Sequence, residues 1–127
     1  MLDHAPLVWG EIAVVDMERA IAFYQQHFGV SFKREVVADI EMAIIETVDK
    51  QAASIALVKC QMMKPSMDGS VVYLHVTDKL SELVAKLVQA GVTILFEPIA
   101  IHDGEFGYCS LFVDCEGNKV GLWSPQL

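Results

Sequence analysis

The chain has 127 residues, 54% of them hydrophobic, and its 17 acidic and 9 basic residues give a formal net charge of −8. This length predicts a single domain, residues 1–127, with enough apolar material for a core. The negative charge repels nucleic acid and anionic membranes, so small molecules and protein partners remain the expected ligands.

Two features indicate where the protein works. The apolar residues form no uninterrupted run long enough to cross a bilayer, and the start, MLDHAPL, lacks the basic and apolar regions of a secretory signal. The cysteines are odd in number and lack metal-ligand spacing, which predicts free and mostly buried thiols in a reducing compartment. They are Cys60, Cys109 and Cys115. We therefore expect a cytoplasmic protein.

The stretch from residue 8 to residue 29 predicts a strand, a helix and a helix end. Residues 8–15 alternate as a half-buried strand does. The set predicted to pack under the helix is Gly10, Ile12 and Val14, and the set on the opposite face is Trp9, Glu11 and Ala13. Asp16 is the expected N-cap, because its carboxylate can accept from N–H groups of the first turn. Gly29, which tolerates a positive φ, is the expected end of the helix.

Three further strands and a linker complete the first half of the chain. The β-rich runs predict antiparallel strands at residues 30–37, 39–48 and 53–59. Residues 60–70 break this pattern with Pro65 and Gly69, and they form the predicted linker.

The second half repeats the first. The same 62 residues separate the two expected caps, Asp16 and Asp78, and the two terminal glycines, Gly29 and Gly91. This spacing predicts two helices of equal length. Further strands are predicted at residues 71–77, 93–99, 107–114 and 119–124, with a polar loop at 100–106. Each half, about residues 7–59 and about residues 71–124, is a strand, a helix and three strands, so two halves must pair around a shared second face.

The segment VVDMERAIAFYQQHFG combines a strand end with a capped helix that closes on glycine, and the segment FVDCEGNKVGLW contains the motif Asp-x-x-Gly-Asn. Both segments resemble the vicinal oxygen chelate superfamily of glyoxalases, bleomycin-resistance proteins and extradiol dioxygenases, and the resemblance implies that the second segment forms a terminal hairpin. The resemblance implies an α+β, glyoxalase-like fold in which two tandem βαβββ modules form a cup-shaped mixed sheet. It also implies a small-molecule site in the cup and a homodimer.

The resemblance further implies where a metal ion would bind, namely to a His or Gln in the first strand of each module and to a Glu in each last strand. The matching positions here are Trp9, Val71, Ala56 and Gly121. They lack the donor atoms that a divalent ion needs, so we expect no metal and no other cofactor. Glu11 and His75 are the alternative ligands. They are predicted to lie roughly 20 Å apart in one chain, so a second chain would have to bring copies of them together.

The aromatic residues expected on the cup face are Trp9, Tyr73, Tyr108, Phe112 and Trp123. They would either line a pocket for a planar or apolar ligand or form a core between the modules. Because Ala56 and Gly121 are small, Trp9 and Trp123 are the residues expected to fill the vacated space if a ligand does not.

Glu11 and His75 share the predicted cup face. Each is either a ligand-binding or proton-transferring group or a polar residue satisfied by its own surroundings. The loop with His102, Asp103 and Glu105 is either a lid or a solvated surface loop.

Three hypotheses of function remain open. The first is a metal-free small-molecule binding protein of the glyoxalase-like fold. The second is an enzyme, a lyase or isomerase or a dioxygenase-like protein, that uses Glu11 or His75 with an unusual metal site or with none. The third is a partner subunit whose cup is a filled core.

Overall fold

The computed structural model describes residues 6–127, which form, besides a short 3₁₀ helix at His102–Gly104, two α-helices and eight strands. In chain order they are β1 (Trp9–Ala13), α1 (Met17–Phe28), β2 (Phe32–Val37), β3 (Ile40–Ile45), β4 (Ser54–Lys59), β5 (Tyr73–His75), α2 (Leu80–Gln89), β6 (Ile94–Ala100), β7 (Tyr108–Val113) and β8 (Lys119–Ser124). The predicted α+β fold of two βαβββ modules is confirmed. Within residues 6–127, no helix is long and apolar enough to span a bilayer.

The chain divides into two compact units, of which the first ends at Pro65 and the second begins at Ser66. This boundary lies inside the predicted linker. Each unit contains one four-stranded sheet, in the order β1-β4-β3-β2 in the first and β5-β8-β7-β6 in the second. In both sheets the first and last strands of the module pair in parallel, and the other pairs are antiparallel. The predicted mixed sheet is therefore one four-stranded sheet in each unit.

Helix α1 begins and ends as the sequence predicts. The carboxylate of Asp16 accepts from the backbone N–H of Arg19 at 3.0 Å. At the other end Gly29 adopts a φ of 65°, and its N–H donates to the carbonyl of Gln25. A side-chain cap and a left-handed glycine satisfy backbone groups that a helix leaves unpaired at its ends.

An ion pair identifies the two faces of the first sheet. Arg34 on β2 contacts Glu18 of α1, with 2.7 Å between Nη1 and Oε1. The residues in register with Arg34 across the sheet are Ala43, Leu57 and Ile12. This face therefore packs against α1, and Leu57 in it is completely buried. Trp9 and Glu11 occupy the alternate positions of β1, on the opposite side, which we call the far face of the first sheet.

Helix α2 begins differently from α1. It has 10 residues where α1 has 12, so the prediction of equal lengths is wrong. Asp78 is not its cap, because the helix begins two residues later and the cap position makes no side-chain hydrogen bond. The N–H of Leu80 donates instead to the carbonyl of Gln126 at 3.0 Å, and the N–H of Ser81 donates to the carbonyl of Leu127 at 3.2 Å. Backbone carbonyls thus satisfy the first turn of α2.

The end of α2 follows the prediction. Gly91 adopts a φ of 86°. Its N–H donates to the carbonyl of Val88 at 3.0 Å, and the N–H of Val92 donates to the carbonyl of Leu87 at 2.9 Å. This pair of hydrogen bonds is the Schellman motif, which ends a helix where a residue without a Cβ can turn left-handed.

The hairpin between β7 and β8 is built around a buried carboxylate. Asp114 is 5% exposed, and its Oδ1 accepts from the backbone N–H groups of Glu116 and Asn118 at 2.9 Å each. Its Oδ2 accepts from the Asn118 side chain at 3.2 Å. The side-chain oxygen of Asn118 then accepts from the N–H of Ser66 at 2.9 Å. The hairpin therefore attaches the first residue of the second unit to β8.

Candidate functional site

The second sheet also has two distinct faces. The hydroxyl of Ser124 donates to the carbonyl of Asp78, directly before α2, at 2.7 Å, so Ser124 marks the side of β8 that faces α2. Gly121 and Trp123 occupy the alternate positions of β8 and lie on the opposite side, which we call the far face of the second sheet. Their neighbours in register are Tyr73 and His75 on β5, and Leu111 and Cys109 on β7.

The ring of Tyr73 lies against the backbone of Gly121. A Cβ placed on Gly121 would lie 2.6 Å from Cγ and from Cε1 of Tyr73, which is closer than atoms approach in proteins. The tyrosine therefore fills the space that a side chain at position 121 would need. Tyr73 is nevertheless 47% exposed, so part of the ring stays accessible.

The indole of Trp123 is held in place by three contacts. Its Nε1–H donates to the carbonyl of Phe106 at 2.8 Å. A Cβ on Gly107 would lie 2.7 Å from Cε2 and Cζ2 of the indole, so only glycine allows this approach. The ring of His75 meets the indole edge to face, with 4.9 Å between centroids and 74° between planes. We call Tyr73, His75 and Trp123 the aromatic patch.

Tyr108 and Phe112 do not belong to the aromatic patch. Tyr108 is in register with Ser124, and Phe112 is in register with Val120, so both lie on the side of the sheet that faces α2. Phe112 is completely buried there. The expectation that these two residues share a face with Trp123 is therefore wrong.

The hairpin explains the error. Its last pair of residues before the turn is Val113 with Lys119, and counting outward from this pair sets Leu111 opposite Gly121 and Cys109 opposite Trp123. The β7 residues that share a face with Trp123 are thus Cys109 and Leu111, each one position away from an expected residue, Tyr108 or Phe112. The motif Asp-x-x-Gly-Asn, which determines the turn length, is the sequence signal that could have given this register.

Cys109 is a far-face residue that the sequence reasoning missed. It is buried, and burial raises the pKa of its thiol, which therefore stays protonated at neutral pH and behaves as a small apolar group. All three cysteines are free, as predicted, but Cys60 and Cys115 are only half-buried. The prediction of mostly buried thiols is wrong for these two.

Trp9 and Glu11 form a pair on the far face of the first sheet. The indole Nε1–H of Trp9 donates to Oε2 of Glu11 at 3.1 Å. Trp9 is 38% exposed, and Glu11 is in register with Ala56 on β4. Glu11 belongs to the first unit and His75 to the second, so the predicted distance between their side chains stays a prediction.

The loop between β6 and β7 touches the aromatic patch through its backbone, at the carbonyl of Phe106 and at Gly107. The side chains of His102, Asp103 and Glu105 are exposed. His102 and Asp103 have φ values of 51° and 55°, in the left-handed region that residues other than glycine rarely adopt. The exposed side chains suit a surface loop, and a role as a lid stays a prediction.

The four positions that correspond to the family's metal ligands do not fit an ion. Gly121 has no room for any side chain beneath the ring of Tyr73. Ala56 offers only a buried methyl group, and Trp9 and Val71 supply no lone pair. Among residues 6–127, no three or more His, Cys, Asp and Glu side chains form a group that could hold a metal. We therefore derive no chemistry through an ion at these positions.

The sequence matches the Glyoxalase/Bleomycin resistance protein/Dioxygenase superfamily over residues 2–122. The chain belongs to this family, as its two motifs suggested. No curated protein matches the chain by sequence.

Solved structures share the fold over most of the chain. TnmS3, an antibiotic binding protein from Streptomyces sp. CB03234, is 21% identical, with 99% of this chain and 100% of that chain covered and a TM-score of 0.69. The trypanothione-dependent glyoxalase I of Leishmania major is 18% identical, with 96% and 88% covered and a TM-score of 0.71. A superfamily member from Sphaerobacter thermophilus is 22% identical, with 97% and 99% covered and a TM-score of 0.70. Identities this low establish the fold and leave the function to be argued from the site.

Proposed function

We propose that the chain is a glyoxalase-like binding protein that holds a small, planar or apolar organic molecule against the aromatic patch, without the family's metal ion. The observation that carries this proposal is the exposure of Tyr73 beside Trp123 on the far face of the second sheet. An aromatic residue that only fills a core is buried, as Phe112 is, whereas Tyr73 is 47% exposed. An accessible aromatic surface next to fixed polar groups is typical of small-molecule sites.

The polar groups of the patch suggest how a ligand would be oriented. The indole N–H of Trp123 is taken by the carbonyl of Phe106, so the tryptophan offers an apolar ring surface. Within the described part of the chain, the hydroxyl of Tyr73 and the ring nitrogens of His75 have no hydrogen-bond partner. A planar ligand can therefore contact the rings and pair its polar atoms with these two side chains.

Trp9 and Glu11 make a second surface of this kind, an exposed indole beside a carboxylate on the far face of the first sheet. We propose it as a further ligand-contacting surface. Trp9→Phe removes the hydrogen bond to Glu11 and keeps an aromatic ring, so it tests the pair without a loss of apolar area.

The family supports a binding role and also keeps an enzymatic alternative open. One structural relative is described as an antibiotic binding protein, and another is a glyoxalase I. The lack of donor atoms at Trp9, Ala56 and Gly121 favours binding over metal-dependent catalysis. Turnover of a carbonyl or thiol-adduct substrate that is lost in Glu11→Gln or His75→Gln would favour a lyase or isomerase instead.

Fluorescence titration tests the binding site directly. The probe is N-phenyl-1-naphthylamine, a neutral molecule with a flat naphthalene ring system whose emission rises in apolar surroundings. We expect saturable binding to the native protein and roughly tenfold weaker binding to Tyr73→Ala. The control is Val88→Ser, which removes an exposed apolar side chain from α2 and should leave binding unchanged. Probe binding that is not saturable, or that is equal in Tyr73→Ala, would contradict the proposal.

Elemental analysis of the purified protein tests the metal-free part of the proposal. We expect much less than one zinc, nickel, iron or manganese per chain, because the ligand positions lack donor atoms. About one ion per chain, removable by a chelator with loss of stability, would contradict it.

We also propose a homodimer that works in the cytoplasm. Strand β2 is an edge of the first sheet, and Val36 and Val37 on it are 71% and 54% exposed, which leaves apolar surface for a second copy to cover. Light scattering tests the dimer, and a monomer mass at tens of micromolar would contradict it. The three free thiols support a reducing compartment.

A further inference from the structure

Lys119 shares the far face of the second sheet with the aromatic patch. It is the first residue of β8, in register with Val113, and alternation along the strand sets Lys119, Gly121 and Trp123 on one face. Trp123 lies four positions after Lys119, which is about 13 Å along a strand at about 3.3 Å per residue. The ring of Tyr73 lies over the position between them.

Lys119 differs from the other lysines. It is half-buried, whereas every other lysine of residues 6–127 is exposed. Lys33, by comparison, pairs with Glu35 at 3.3 Å. Lys119 has no carboxylate partner in the described part of a chain that contains 17 acidic residues. An ammonium group that has no partner in the protein can pair with an anionic group of a ligand.

The surroundings of Lys119 favour an anionic group. The far-face residues of β8 are Lys119, Gly121 and Trp123. Their neighbours in register, none of which is acidic, are Tyr73 and His75 on β5 and Cys109, Leu111 and Val113 on β7. The turn between β7 and β8 holds two carboxylates, Asp114 and Glu116, and that of Asp114 accepts hydrogen bonds from the turn backbone and from Asn118. The remaining negative charge of the protein is screened beyond about 8 Å at physiological ionic strength.

We infer that the ligand is a planar aromatic molecule that carries an anionic group, with its rings on the aromatic patch and its anion on Lys119. This inference depends on the proposed function and adds the charge of the ligand to it. A ligand that spans Lys119 and Trp123 on this face would lie across the ring of Tyr73. Carboxylates, sulfonates and phosphates share the chemistry that an ammonium group recognises.

Two dyes that differ by one anionic group test the inference. 8-Anilinonaphthalene-1-sulfonate has the frame of N-phenyl-1-naphthylamine and adds one sulfonate. We expect the native protein to bind the sulfonate roughly tenfold more tightly than the neutral dye. Lys119→Met should remove this preference and leave the affinity for the neutral dye within about twofold, because the apolar stem is kept. Added salt should weaken binding of the sulfonate alone.

Matched variants separate the possible outcomes. Lys86→Met removes an exposed lysine from α2 and should change neither affinity, and Lys119→Arg should keep the preference for the sulfonate. If the native protein binds neither dye, the proposed function and this inference both fail. If it binds the neutral dye as tightly as the sulfonate, or if Lys119→Met weakens both dyes equally, the inference about the anion fails and the aromatic site stands.

Discussion

The ring of Tyr73 occupies the volume in which a side chain at Gly121 would lie. The two residues are neighbours in register on adjacent parallel strands. From sequence, Trp9 and Trp123 were the residues expected to fill this volume, whereas Trp123 packs against Gly107 and is fixed by Phe106. The small size of Gly121 therefore makes room for the ring of Tyr73, and not for a tryptophan.

The contact between Tyr73 and Gly121 predicts that substitutions at these two positions have non-additive effects on stability. Gly121→Ala should lower the free energy of unfolding by about 1–3 kcal/mol, because the new methyl group forces the ring of Tyr73 to move. In a Tyr73→Ala background the same substitution should cost less than about 0.5 kcal/mol. Urea unfolding of the four proteins measures the coupling, and an equal cost in both backgrounds would refute it. Gly29→Ala is the control, because nothing lies within 4 Å of its Cβ position and its cost should be independent of Tyr73.

The two helix starts predict different responses to the same substitution. Asp16→Ala removes a side-chain cap from α1 and should lower the free energy of unfolding by about 1 kcal/mol. Asp78→Ala should change it by less than about 0.5 kcal/mol, because backbone carbonyls satisfy the first turn of α2. Chemical denaturation at pH 7 gives both values. Equal losses in the two variants would show that Asp78 acts as a cap after all.

Local interactions explain what could be predicted of the fold. The cap at Asp16 and the glycines after both helices depend on partners within a few residues, and the sequence gives them directly. The start of α2 depends on residues 126 and 127, since the hydroxyl of Ser81 donates to the carbonyl of Leu127, 46 residues away. Periodicity and capping rules use only residues 71–91 to predict this helix, and that partner lies outside them.

The same distinction applies to the site. Tyr73 and His75 share a face by alternation within β5, and Gly121 and Trp123 do so within β8, which is a local property; the parallel register then brings the two pairs to the same face, as expected. Tyr108 and Phe112 were misplaced, because the face of a β7 residue depends on how the hairpin aligns β7 with β8. A shift of one residue moves every side chain of a strand to the other face.

Cys109 should be the least reactive thiol of the native protein. Iodoacetamide should label Cys60 and Cys115, which are half-buried, before it labels Cys109, as mass spectrometry of the digested protein would show. Burial raises the pKa of Cys109 in the folded state, so the fold gains stability below the unfolded pKa and loses it as the pH rises through the folded pKa. Cys109→Ser should reduce this alkaline loss. Labelling of Cys109 at the rate of the other two would contradict the prediction.

The buried carboxylate of the β7–β8 hairpin predicts a large loss of stability. Asp114→Ala removes the acceptor of three hydrogen bonds and should lower the free energy of unfolding by about 3 kcal/mol. Asn118→Ala also frees the N–H of Ser66, so hydrogen exchange at Ser66 should accelerate in that variant. The control is Asp68→Ala, which changes an exposed aspartate two residues after Ser66 and should lower the free energy of unfolding by less than about 0.5 kcal/mol. If Asp114→Ala proved no more costly than this control, the Asp114 carboxylate would not be what stabilises the turn.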